Sequence, residues 1–61
     1  MKSREIIKIL EADGWVWKRT NGSHYIYKHP QKTGTVPVPH PKDDIPIGTE
    51  RNIFKLACLL K

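Results

Sequence analysis

Two short runs of alternating residues around a turn decide the fold of this chain: Trp15-Val16-Trp17-Lys18-Arg19 and Ser23-His24-Tyr25-Ile26-Tyr27-Lys28. Aromatic and β-branched residues recur at every second position, as they do in half-buried β-strands. The intervening Thr20-Asn21-Gly22 is typical of a tight turn. The sequence therefore predicts an antiparallel β-hairpin over residues 15–28.

Two pairings of this hairpin are possible. A two-residue turn at Asn21-Gly22 would place Trp17 opposite Ile26. A three-residue loop, with Gly22 in the left-handed conformation, would place Trp17 opposite Tyr25. The second pairing gathers the four Trp and Tyr side chains on one face, and cross-strand aromatic pairs stabilise a sheet. We therefore favour the three-residue loop.

A helix is predicted before the hairpin. Ser3 is a candidate N-cap for a helix running from Arg4 to about Asp13, and Gly14 is a candidate left-handed stop. The spacing of the apolar residues predicts one buried stripe, formed by Ile6, Ile9 and Leu10 and widened by Ile7.

A third strand is predicted over Thr35-Val36-Pro37-Val38. Pairing Val38 with Tyr25 and Val36 with Tyr27 extends the apolar face of the hairpin. Pro37 then lies on the opposite face, and because proline lacks an N–H this strand should be an edge strand.

A last helix is predicted near the C-terminus, capped by Gly48 or Thr49 and ending near Leu60. Its apolar residues follow the spacing i, i+3, i+4, i+7, at Ile53, Leu56, Ala57 and Leu60. The predicted fold class is thus α+β: one domain over residues 1–61 in the order α-β-β-β-α. Two helices would cover one face of a three-stranded antiparallel sheet and leave the other face open.

Positive charge is confined to the middle of the chain. From Gly14 through Lys42 there is no Asp or Glu, and the rest of the chain has six basic and six acidic residues, so the whole formal net charge of +5 lies in this block. Such a block predicts a polyanionic partner, above all nucleic acid. The single cysteine, Cys58, fits a reducing compartment, and no stretch approaches the roughly 20 apolar residues of a membrane span.

His24 is the candidate catalytic residue, on the sheet face that the helices leave open. Strand alternation turns His24, Ile26 and Lys28 away from the helices, and the favoured pairing puts Lys18 directly opposite His24. A histidine among positive charges can attract a polyanion and move a proton on it. The alternative is a surface histidine without a function.

Other kinds of site are disfavoured. Ser23 and His24 are adjacent on a strand and point to opposite faces, so they do not form a nucleophilic pair. His24 and His29 are also expected on opposite faces, and the block lacks carboxylates, which disfavours a metal site and two-metal nuclease chemistry. The Trp and Tyr residues could stack on bases, but core packing is the expected use in so short a chain.

Several motifs occur in a fixed order along nearly the whole chain: Leu10-Glu11-Ala12-Asp13-Gly14-Trp15, Gly22-Ser23-His24, His29-Pro30, Val38-Pro39-His40-Pro41-Lys42 and Ile45-Pro46-Ile47-Gly48-Thr49, then Ile53. In this order the sequence resembles the HicA-type toxins, which are mRNA interferases of bacterial toxin–antitoxin systems. The resemblance implies a fold like the double-stranded RNA-binding domain. It also implies that the histidine of Gly-Ser-His, here His24, is needed to cleave mRNA, and that a HicB-type antitoxin covers the toxin surface. Cys58 stands where the last helix of the family usually ends in glycine, so a longer helix is expected here.

Together these observations predict a metal-independent, cofactor-free endoribonuclease toxin with His24 as the catalytic base. The candidate RNA-binding residues are Lys18, Arg19, Gly22, Ser23, Lys28, His40 and Lys42. The sequence does not assign the leaving-group acid, for which His40 and a water molecule are candidates. The expected partners are mRNA and the antitoxin on the open sheet face, with a monomer when free, no membrane and a cytoplasmic location. A non-catalytic RNA-binding module and a protein-docking domain are the alternatives.

Overall fold

The computed structural model describes residues 1–59 and contains five elements in the order α-β-β-β-α. These are α1 (Ser3–Ala12), β1 (Val16–Asn21), β2 (His24–Lys28), β3 (Thr35–Pro39) and α2 (Ile47–Leu56). The strands form one antiparallel sheet in the order β1-β2-β3. The predicted fold class is confirmed.

The core lies between one face of the sheet and the two helices. Its buried residues are Ile6, Leu10, Trp15, Tyr27, Val36, Val38, Ile45, Ile53 and Ala57. Both helices contact β3, whereas every residue of β1 is exposed. The helix layer is therefore centred on β3, and β1 extends beyond its cover.

The pairing of β2 with β3 is the predicted one. Tyr25 pairs with Val38 and Tyr27 with Val36, and β3 is an edge strand. Pro37 is exposed on the opposite face, where its missing N–H costs no ladder hydrogen bond.

The predicted pairing of β1 with β2 is wrong. The turn is Gly22-Ser23, so that Asn21 pairs with His24, and Trp17 pairs with Tyr27 rather than with Tyr25. Gly22 has a φ of 61° at the first central position, where type II′ hairpin turns require glycine. A bulge between Trp17 and Arg19 inserts Lys18 as an extra residue. This insertion shifts the register between the two ends of the ladder, which composition alone does not reveal.

The start of α1 also differs from the prediction. Lys2 is the N-cap, and the Glu5 carboxylate accepts a hydrogen bond from the Lys2 backbone N–H at 3.2 Å. Ser3 is the first helical residue and is buried, and its hydroxyl binds residues of the loop after β3. The Ser3 hydroxyl therefore bonds to a loop that is distant in sequence instead of capping the backbone N–H groups at the start of α1. Ile9, predicted to be buried, is exposed.

The end of α1 follows the prediction. Asp13 is the C-cap, and Gly14 has a φ of 106°, which L-residues rarely adopt.

No helix within residues 1–59 has the length and apolar character needed to cross a membrane.

The last helix is shorter than predicted at its C-terminal end and begins earlier than predicted. Pro46 is its N-cap, so neither Gly48 nor Thr49 caps it, and it ends at Leu56. Leu60, the predicted end, lies outside the described residues. Cys58 has a φ of 59° and donates its backbone N–H to Lys55 O, while Leu59 donates to Phe54 O. These two bonds form a Schellman-like motif with cysteine at the position that favours glycine, and they end the helix where a longer one was expected.

Replacing Cys58 with glycine should therefore stabilise the protein. The left-handed conformation costs an L-residue roughly 1–2 kcal/mol, and glycine avoids this cost. Glycine also loses more conformational entropy on folding than cysteine does, which offsets part of the gain in stability. We expect a net gain of about 1 kcal/mol, or about 4–8 °C in melting temperature for a domain of this size. Cys58→Ala is the matched control, because it removes the thiol but keeps the Cβ. An equal gain in both variants, measured by thermal unfolding, would contradict the backbone explanation.

Candidate nucleic-acid interface

The sheet face turned away from the helices carries His24. Directly paired residues of an antiparallel sheet lie on the same face, so β2 contributes His24, Ile26 and Lys28 to it. The partners of these three on the neighbouring strands are Asn21, Arg19 and Val16 on β1 and Pro39, Pro37 and Thr35 on β3. We call this surface the open face. It is bounded by the exposed Gly22-Ser23 turn at the end where His24 lies.

His24 is exposed at the first position of β2, between Asn21 and Pro39. Among residues 1–59, the hydrogen bonds to histidine rings engage His29 and His40 and leave the His24 ring to solvent. Backbone pairing on both sides fixes the Cα of His24, while its imidazole is exposed to solvent.

The positive group nearest to His24 on the open face differs from the predicted one. Lys18 is the bulged residue and does not lie opposite His24. Arg19 pairs with Ile26, two residues along from His24, which makes Arg19 its diagonal neighbour. Diagonal neighbours are separated by roughly 7–8 Å, within reach of a long side chain. The Arg19 side chain can therefore reach the space beside the His24 ring.

His40 lies away from the His24 ring. Its backbone N–H donates to Ser23 O, and its ring packs edge-on against Tyr25 with centroids 4.7 Å apart, on the helix-facing side. The Ser3 hydroxyl is 2.7 Å from His40 Nδ1 and accepts a hydrogen bond from the Lys42 N–H. A hydroxyl can donate one hydrogen bond and accept two, so the Ser3 hydroxyl can pair with His40 Nδ1 in either tautomer of the ring. His40 anchors the loop to α1 and does not share the open face.

His29 is buried and holds the end of α1 against the end of β2. Its Nδ1 accepts a hydrogen bond from the Gln31 N–H at 3.0 Å, so its Nε2 carries the proton that it donates to Asp13 O at 2.7 Å. The ring also packs edge-on against Trp15, with centroids 5.3 Å apart. This histidine is a structural residue.

Lys32, one of the positive charges of the basic block, also has a structural position. Its ammonium lies 2.5 Å from Asp13 Oδ2 and donates to the Ala57 carbonyl at 2.9 Å, close to the end of α2. It therefore joins the ends of both helices and adds little to the field of the open face. The hydrogen bond from Lys32 holds the pKa of the Asp13 carboxyl below its ordinary value of 3.8, against the opposing effect of desolvation.

The lowered pKa predicts that Asp13 stabilises the fold in a pH-dependent way. The ionised carboxylate contributes its full stabilisation above its unfolded pKa, and loses it as the pH falls through the lowered folded value. Asp13→Asn should therefore be less stable than the wild type at neutral pH, and the gap should close in acid. Unfolding by urea from pH 7 to pH 2 measures this gap. Asp43→Asn, in the exposed loop, is the control, and a gap of constant size would contradict the prediction.

The other predicted RNA-binding residues have different positions. Gly22 and Ser23 form the turn beside His24, while Lys28 is exposed at the far end of β2. Lys42 is exposed in the loop next to the start of α1, where its backbone binds Ser3. Within residues 1–59, no group of three His, Cys, Asp or Glu side chains could hold a metal ion.

Trp17 was expected in the core and lies outside it. It pairs with Tyr27 on the helix-facing side, but β1 extends beyond the helices, and Trp17 is 51% exposed. The exposure of Trp17 depends on where the helices lie relative to β1, and the aromatic pattern of the sequence does not predict their position.

A model of the family described as the HicA toxin of bacterial toxin–antitoxin systems matches residues 3–59 of this chain. The match spans nearly the whole sequence and confirms the resemblance seen in its motifs. No curated protein matches the chain.

Proposed function

This chain belongs to the HicA toxin family of bacterial toxin–antitoxin systems, and on that premise we propose that it is an endoribonuclease that cleaves mRNA with His24 as general base. Family membership implies a cognate antitoxin. The observation that carries the enzymatic proposal is the free imidazole of His24, held on an open basic sheet face beside a glycine turn.

The proposed reaction is an internal transfer at the phosphate. A nitrogen of neutral His24 takes the proton of a ribose 2′-OH, and the 2′-oxygen attacks the adjacent phosphorus. The bond from phosphorus to the 5′-oxygen breaks, leaving a 2′,3′-cyclic phosphate on one fragment. The departing 5′-oxygen takes a proton from water, since His40 lies on the other side of the sheet.

Arg19 is the group that we expect to stabilise the charge on the phosphate. Its guanidinium can donate two parallel hydrogen bonds to phosphate oxygens, a geometry that lysine lacks. Lys28 and Lys18 lie further along the sheet and extend the positive surface over neighbouring phosphates. No step of this reaction requires a metal ion.

The antitoxin is proposed to be of the HicB type and to cover the open face. This face carries positive charge and an exposed Pro37, which suit an acidic and partly apolar partner surface. Ile26 also lies on the open face but is only 8% exposed, so apolar contacts with the antitoxin would fall on exposed neighbours such as Pro37. We further propose that the free toxin is a monomer and acts in the cytoplasm, where its mRNA substrate is found.

The test is incubation of the purified protein with a defined mRNA transcript in the presence of excess chelator. The proposal predicts cleavage that persists without divalent ions and stops when the antitoxin is added. An RNA that is bound but stays intact would instead show a non-catalytic RNA-binding module. Antitoxin binding without any RNA affinity would show a protein-docking domain.

RNA binding should be mainly electrostatic. If about three to five phosphates are neutralised, the logarithm of affinity should fall against the logarithm of salt with a slope of roughly −2 to −3.5 on single strands. Arg19→Ala should flatten the slope by about 0.7 and slow cleavage. Lys8→Ala, on the exposed side of α1, is the control that should change neither. Equal slopes for Arg19→Ala and wild type, measured in a salt titration, would remove Arg19 from the phosphate site.

A further inference from the structure

An apolar groove lies at the end of the sheet away from His24. Its volume is about 360 Å³, and it is lined by Val16, Trp17, Lys18, Lys28, His29 and Pro30. Val16 is 60% exposed and Trp17 is 51% exposed. Val16 and Trp17 line the same groove, and an exposed apolar patch marks a binding surface where a single exposed residue would not.

The Trp17 ring is held in place by its own strand. Its Nε1–H donates to Thr20 Oγ1 at 3.2 Å, across the bulge at Lys18. The hydrogen bond satisfies the only polar atom of the indole, so a ligand would contact the apolar face of the ring. A side chain that is already ordered loses little entropy on binding, so the groove is prepared for a ligand.

Two positively charged side chains line the same groove as this ring. Lys18 and Lys28 both line the groove, and the chain has no Asp or Glu between Gly14 and Lys42. An aromatic ring flanked by ammonium groups matches a planar base with phosphates on either side of it. The volume of about 360 Å³ is at the lower end of the range for sites that hold one small planar group.

We propose that this groove binds one unpaired base of the RNA by stacking on Trp17, with Lys18 and Lys28 contacting the adjacent phosphates. The inference rests on the proposed function and adds a substrate subsite to it. Lys28 lies four residues along β2 from His24, or about 13 Å. The stacked base therefore belongs to a nucleotide some way from the cleaved bond, and it would set the position of the strand over His24.

The experiment measures binding of a labelled single-stranded RNA to the non-cleaving His24→Ala protein as parent. Adding Trp17→Ala should weaken binding about 5- to 150-fold, which is the range for loss of one base stack. Adding Trp17→Phe should retain most of the affinity, because phenylalanine keeps an aromatic face. The slope of the logarithm of RNA affinity against the logarithm of salt should be the same in the parent and in both Trp17 variants. Ile47→Ala removes an apolar residue that is 68% exposed on α2 and should change nothing.

Tryptophan fluorescence gives a second measurement that does not depend on how Trp17→Ala folds. Trp15 is buried, so RNA should quench the emission of exposed Trp17 in the parent and have little effect in Trp17→Phe. Unchanged affinity in Trp17→Ala, or equal quenching in Trp17→Phe, would overturn the subsite and leave the nuclease proposal standing. Loss of antitoxin binding without loss of RNA affinity would assign the groove to the protein partner and also overturn the subsite. A parent and wild type that both fail to bind RNA would overturn the proposed function and the subsite with it.

Discussion

Replacing His24 with alanine is expected to slow RNA cleavage by about 100- to 10,000-fold, the usual contribution of a positioned general base. The ring is exposed on the open face and the hydrogen bonds among residues 1–59 leave it free, so its loss should cost the fold little. RNA affinity and its salt dependence should therefore stay close to those of the wild type. The measurement is a single-turnover cleavage rate on one RNA, beside a binding titration with the same RNA.

His24→Gln is the matched control for shape. Glutamine fills similar space and forms hydrogen bonds, but it cannot take up a proton at neutral pH. Both variants should be equally slow if His24 acts as a base. A His24→Ala protein that cuts at the wild-type rate would remove His24 from the chemistry, and a large recovery in His24→Gln would reduce its role to positioning.

Gly14→Ala is expected to have the largest effect on stability. Gly14 has a φ of 106°, and a Cβ at this position would lie 2.8 Å from His29 Nε2. The variant therefore meets backbone strain and must also displace the ring that binds Asp13 O, for a combined loss of about 2–5 kcal/mol. A domain of this size has a stability of roughly 3–9 kcal/mol in total, so the variant should lose a large part of it.

The control for this prediction is Gly34→Ala. Gly34 also has a positive φ, of 81°, but a Cβ added there would have no heavy atom of the described residues within 4 Å, apart from its own chain neighbours. Only the backbone cost of roughly 1–2 kcal/mol applies there. Thermal unfolding of the two variants should differ by several degrees. Equal losses would show that contact with His29 contributes nothing at Gly14.

The alternation of residues in the strands predicted which side chains share a face, but it could not predict the hairpin pairing. Tyr25, Tyr27, Val36 and Val38 face the helices as expected, and the edge position of β3 follows from Pro37. The pairing of β1 depends on a type II′ turn and on a bulge at Lys18, each of which changes the register. The free-energy differences between such turns are small, and the local sequence allows several of them.

Residues whose partners are distant in sequence do not follow the local rules. Ser3 satisfies the rule for an N-cap, yet its hydroxyl binds the loop that follows β3, which lies far away in sequence. Lys32 counted toward the basic block, but in the fold it joins Asp13 to the end of α2. Local rules assign such residues to their nearest element, because the partner becomes visible only when the chain has folded.

The most direct test of the central claim is the chemical identity of the RNA ends. One RNA oligonucleotide is cut by the purified protein, and the masses of the fragments are measured. With His24 activating a ribose 2′-OH, the upstream fragment should end in a 2′,3′-cyclic phosphate, and a single 2′-deoxy substitution at the cut position should abolish cleavage there. A 3′-hydroxyl end, or undiminished cleavage of the 2′-deoxy oligonucleotide, would contradict the account.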